Sequence, residues 1–151
     1  MQVPADWDVS YVSMGETRPP VVTFYQQDKT DQYLFQLNTS MFWDDGYSRD
    51  IKNSQTIRDL VESTGQSALP SSVEQNLDLQ EIIGSDGQGY YFTLTDARAG
   101  QGGFKYLLQG ALNVGSVLVV FSLFTIEDNK ELVETTLTML KTAIHRYQPD
   151  V

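Results

Sequence analysis

The chain has no cysteine at all, so a disulfide framework, a thiolate nucleophile and a cysteine-rich zinc site are excluded from the start. Histidine occurs once, at position 145, which leaves little for metal ligation or for a histidine-based catalytic set. Basic residues are few, ten against twenty acidic ones, and the formal charge is −10. A surface of that sign repels a phosphate backbone, and the ten cations are scattered from Arg18 to Arg146 without a cluster that could reverse the field locally. A nucleic-acid partner is therefore not expected. Long hydrophobic runs are also missing: the longest, Val117 to Phe124, is broken by Ser122 and falls far short of the ~20 residues that span a bilayer. Eleven glycines and five prolines are too few for a collagenous or linker-like chain.

What remains is an ordinary globular composition, 40% apolar and 11% aromatic over 151 residues, which fits one domain covering residues 1–151. No internal repeat, low-complexity block or charge run divides it. The first third reads as strands near residues 9–14, 21–25 and 33–43, with Pro19 and Pro20 breaking the first from the second. From Asn53 the apolar period changes from two to about 3.6, because Ile57, Leu60, Val61 and Thr64 make one stripe. Asn53 or Ser54 can cap this helix and Gly65 can close it.

A meander follows. Leu77 to Ile83 alternates, the glycines from Gly84 to Gly89 supply turn chemistry, and Tyr90 to Thr95 completes a hairpin. The glycine-rich stretch Gly100 to Gly103 leads into a strand over Phe104 to Val114. Gly115 then turns the chain into Ser116 to Thr125, which is apolar on both faces and so expected at the centre of a sheet. Asp128 with Glu131 reads as an acidic capping box for a closing helix whose stripe is Val133, Leu137, Leu140, Ile144 and Tyr147, ending near Pro149. The expected class is α+β: an antiparallel sheet of about six or seven strands packed by helices.

The order of these elements resembles the PsbP-like fold, an α/β/α sandwich shared by a photosystem II extrinsic subunit, a Ran-binding nuclear transport factor and several bacterial envelope or secretion-associated proteins. The resemblance is carried by Pro4 to Trp7 entering the first strand, by the strands at Gly89 to Phe92, Phe104 to Gly110 and Val119 to Thr125, and by the closing helix. It implies the architecture and a bias away from enzymes. No site residue of a member of that fold maps onto a motif here, and function has to be argued from the site.

The one stretch that concentrates rings, carboxylates and a guanidinium runs from Phe42 to Asp50. Trp43 and Tyr47 offer apolar faces with polar tips, while Asp44, Asp45, Arg49 and Asp50 add charge, so these six residues are the expected ligand-binding set. Asp-Asp-Gly is ordinary turn chemistry as well, and its spacing does not meet that of a calcium loop, so no metal is assigned. His145 is expected on the closing helix, where the dipole accounts for a cation. No Gly-x-Ser-x-Gly turn offers it a nucleophile, so no catalytic residue and no cofactor is assigned. Gly100 to Gly103 lacks the Lys and Ser/Thr of a phosphate loop.

The expected function is a non-catalytic protein-binding or accessory domain of the bacterial cell envelope, periplasmic or otherwise outside the cytoplasm, with a protein as its partner. A cytoplasmic chaperone or adaptor for a secreted protein is the second reading. A small hydrolase or metal-dependent enzyme, resting on His145 or Asp45, is the third. The N-terminus carries no basic and apolar leader, but a chain whose leader had been removed would read the same.

Overall fold

The computed structural model describes residues 1–13, 15–43 and 50–146. Seven strands form one sheet: β1 (Asp8–Val12), β2 (Val21–Gln27), β3 (Tyr33–Trp43), β4 (Gln80–Ile83), β5 (Gln88–Thr95), β6 (Tyr106–Val114) and β7 (Val117–Thr125). Their order across the sheet is β1-β2-β3-β7-β6-β5-β4, and every neighbouring pair is antiparallel. Two meanders, β1 to β3 and β4 to β7, thus meet where β3 pairs with β7. Helix α1 (Ser54–Ala68) belongs to the crossover between them, and α2 (Lys130–Lys141) follows β7.

β7 is the fourth strand of seven, and its sequence says why. Val117, Val119, Phe121 and Leu123 join the core on the α2 side, while Leu118 and, partly buried, Val120 pack with the α1 side, so the strand has apolar neighbours on both faces and sits at the centre of the sheet. The turn into it is two residues long, with Val114 opposite Val117, and Gly115 takes φ +57, a conformation that favours glycine. The α2-side core gathers Phe24, Phe35, Leu37, Leu112, Phe121 and Leu140, and the Trp7 ring packs on Phe35 at 4.8 Å from the turn that Pro4 begins. The α1-side core is smaller, built on Ile57, Val61, Phe92, Leu94, Ala111 and Leu118. Among the described residues, no helix is long and apolar enough to cross a membrane.

Several local expectations are corrected. Gly65 does not close α1; it lies buried in the helix's last turns, where a Cβ would come within 2.7 Å of Leu77 Cδ1 and Cδ2, so its smallness serves close packing. The helix instead runs to Ala68 and passes into a 3-10 turn (Leu69–Ser71) at Pro70, whose ring cannot continue the α-helical ladder. Leu77 and Leu79 pack beneath α1, and the strand expected over them begins only at Gln80.

At α2 the cap is Asn129, whose side chain accepts the Leu132 N–H at 3.0 Å, not Asp128. The helix also ends earlier than its apolar period suggests. The Thr142 hydroxyl donates to the Met139 carbonyl, and the Lys141 carbonyl accepts the Ser85 N–H at 2.8 Å, so the β4–β5 turn takes over the helix end. Ile144 and His145 therefore lie beyond the helix, with Ile144 exposed. Tyr147 and Pro149 lie outside the described residues.

Candidate functional site

The two helices cover the two faces unequally. On the α1 side the helix lies against β5 and β6, and among the described residues no helix covers the same face of β7, β3 and β2. Pairing register fixes what this open half presents. One row across the strands is Val21, Ser40, Val120 and Ala111; the next is Thr23, Asn38, Ser122 and Gln109; Phe42 opposite Leu118 makes a third. The floor thus carries an amide and hydroxyl row beside an apolar one. Thr23 donates to Asn38 Oδ1 at 2.9 Å within it.

A cleft of about 870 Å³ stands on this floor. Leu60, Val61 and Thr64 of α1 make one wall, the β1–β2 loop from Glu16 to Pro20 makes the other, and Phe42, Trp43 and Ile51 close one end. Among the described residues lining it, Glu16 and Arg18 are the only charged ones, one of each sign and both exposed, while the interior is mostly aliphatic and aromatic. A partly apolar recess with a few neutral polar groups suits a ligand that buries hydrocarbon or ring surface and aligns a few hydrogen bonds.

Of the six residues expected to bind, the structure places two. Trp43 is the last residue of β3, 56% exposed, and borders the end of the cleft, while its pairing with Val117 puts it on the sheet face of Met41, opposite to that of Phe42. Asp50 is exposed on the approach to α1, where its carboxylate accepts the Lys52 N–H at 3.3 Å and its carbonyl accepts that of Asn53 at 3.1 Å, so it shapes the turn before the helix. Asp44, Asp45, Tyr47 and Arg49 lie outside the described residues. The cleft's other contributors escaped the sequence reading because Leu60, Val61, Leu118 and Val120 look like core and Gln109 like an ordinary strand polar residue; only the register of three strands and the offset of α1 reveal that one side is open.

His145 also has a setting that no motif announces. Its Nδ1 lies 3.1 Å from Ser116 Oγ on the β6–β7 turn, and its backbone N–H donates to Asp86 Oδ2 at 3.2 Å. Ser116 and His145 are 29 positions apart and make the kind of pair from which a nucleophile could be built. Asp86 holds the histidine's main chain instead of its ring, however, and the cluster ties the segment after α2 to two hairpin turns.

A second cleft, about 690 Å³, lies between α2 and the strands β5 to β7. Glu74 is on its rim. Partial burial pushes that carboxyl up, but the Thr95 N–H at 2.9 Å and hydroxyl at 2.8 Å both donate to it and outweigh the burial, so its pKa lies below the ordinary value. These bonds pin the segment after α1 to β5.

No protein-family model matches the chain, and no curated protein does so. Among solved structures it is similar to the solution structure of cyanobacterial PsbP (CyanoP) from Synechocystis sp. PCC 6803, at 13% identity and a TM-score of 0.56, over 95% of this chain and 84% of that one. With two helices flanking a seven-stranded antiparallel sheet, the chain has the PsbP-like α+β fold.

Proposed function

We propose that the chain is one non-catalytic binding domain with an accessory role in the bacterial cell envelope, and that its α1-side cleft takes a segment of a partner protein. The residues proposed to contact that partner are Trp43, Asp44, Asp45, Tyr47, Arg49 and Asp50. The observation that carries this reading is the incomplete cover of one sheet face: Phe42, Leu118 and Val120 front a recess whose volume is in the range of binding sites. Phe42 supports it, since an aromatic ring left 41% exposed on the face of the recess is the kind of anchor that dominates binding energies. The charge of −10 favours a partner segment that is neutral or basic.

A photoreactive phenylalanine analogue in place of Trp43, in the protein expressed from its own gene, tests the reading. A discrete adduct from position 43, with none from the equally exposed Ile83 on the far edge of the sheet, is the expected result. Equal labelling from both positions, or none from either, counts against it. Cell fractionation of the same protein tests the envelope assignment, and a cytoplasmic pool that yields the adduct favours a chaperone or adaptor role instead.

A further inference from the structure

We infer that β1 is a self-association edge, at which two copies of this chain pair their first strands antiparallel about Ser10 and join two seven-stranded sheets into one. The two edges of the sheet are treated differently by the fold. β4 has four residues, and the turn that leaves it is bonded to the Lys141 carbonyl at the end of α2. β1 is paired over its whole length to β2 on one side, all five of its residues are exposed, and it contains no proline or lysine that would discourage a further strand.

The sequence Asp8-Val9-Ser10-Tyr11-Val12 is also self-complementary in one register. With Ser10 opposite its symmetry mate, Val9 faces the second copy's Tyr11 and Tyr11 its Val9, an aromatic and β-branched pairing made twice. Asp8 then faces Val12, and the two Asp8 carboxylates stand about 14 Å apart, four residues of strand, so no like charges are opposed. Val9 and Tyr11 share the sheet face of Phe24 and Val22, so the four side chains extend the α2-side core past its present limit. Val9 is 54%, Tyr11 65% and Val12 49% exposed, which is about 300 Å² of side-chain surface per chain. With the main chain, the pair buries roughly 1,000 Å², the lower limit for a specific interface, so association is weak and appears at about tens to hundreds of micromolar.

The lack of native cysteine makes the register directly testable. In the full chain, Ser10→Cys places two thiols opposite one another at a strand pair's Cα separation of about 5 Å, within disulfide reach, whereas Asp8→Cys places them too far apart. Under mild oxidation at about 100 μM, Ser10→Cys is expected to form covalent dimer at least tenfold faster than Asp8→Cys. The unsubstituted protein's sedimentation mass should rise from 17.0 kDa with concentration, more steeply at high salt, and Tyr11→Lys should move that rise at least tenfold higher. Equal cross-linking at the two positions, or a protein that stays monomeric at about 1 mM, overturns the inference. If Tyr11→Lys does not fold, slowing of β1 amide exchange with concentration in the unsubstituted chain decides the same point, and its absence is a refutation.

Discussion

Thr136 offers the sharpest energetic test of the packing described here. Its side chain is fully buried on α2, and among the described residues its hydroxyl has no hydrogen-bond partner. Thr64 of α1 does better, donating to the Leu60 carbonyl, as does Thr142 just past α2, donating to that of Met139. A buried hydroxyl left unpaired costs about 1–3 kcal/mol, and valine has nearly the same shape and a similar helix propensity. Thr136→Val is therefore expected to stabilise the fold by about 1–2 kcal/mol. For a chain of this size that raises Tm by roughly 2–4 °C per kcal/mol. Thr136→Ser keeps the orphan hydroxyl and removes a buried methyl, so it should destabilise by about 1 kcal/mol. Urea unfolding of the three proteins reads the order directly. Stability should run valine, threonine, serine; a valine variant no more stable than the parent means that the hydroxyl has a partner after all, and the reasoning fails.

Other substitutions probe separate parts of the structure. Gly110→Ala drives a Cβ to 2.3 Å from the Tyr90 carbonyl oxygen and 2.7 Å from Phe121 Cζ, and paired backbone cannot yield, so a loss of about 3 kcal/mol is expected in urea unfolding. Asn53→Ala removes the cap that accepts the Gln55 and Thr56 N–H groups at 2.9 and 3.2 Å, which should cost about 1 kcal/mol, while Asn53→Asp should keep most of it. For Glu74, a carboxyl whose folded pKa is lowered adds stability above its unfolded value that is lost as pH falls through the folded one. Glu74→Gln should accordingly be less stable than the parent at pH 7, by roughly 1 kcal/mol after solvent screening, and the gap should close in acid; a gap independent of pH would show that the Thr95 bonds do not favour the charged form.

Much of the architecture is legible in residue order, for identifiable reasons. An apolar period of 3.6 beginning at Asn53 marks α1 and its cap, and a strand greasy on both faces can only be central, as β7 is. Two of the misreadings share one cause, since each was decided by a neighbour distant in sequence, whereas the α2 cap differs by a single position. Gly65 looks like a helix stop until Leu77 is seen packed against it. The stripe of α2 continues in sequence to Ile144, but the β4–β5 turn claims the helix end through Lys141. The Phe42 to Asp50 stretch drew notice for its composition, and Trp43 does stand at the cleft. The cleft itself could not be read in advance, because its walls come from β1–β2, α1 and three strands whose register no local pattern records. Ser116 and His145 meet for the same reason.

Binding of a partner at the open half of the α1-side face is the proposal on which the assignment of function depends. Isotope-edited spectra of the methyl groups, recorded as the protein captured by the position-43 adduct is titrated in, test it most directly. Shifts concentrated on Leu60, Val61, Leu118 and Val120 are predicted, with Leu132 and Leu137 of α2 unmoved. Shifts confined to α2 and the strands beneath it, with the four cleft residues silent, would contradict it.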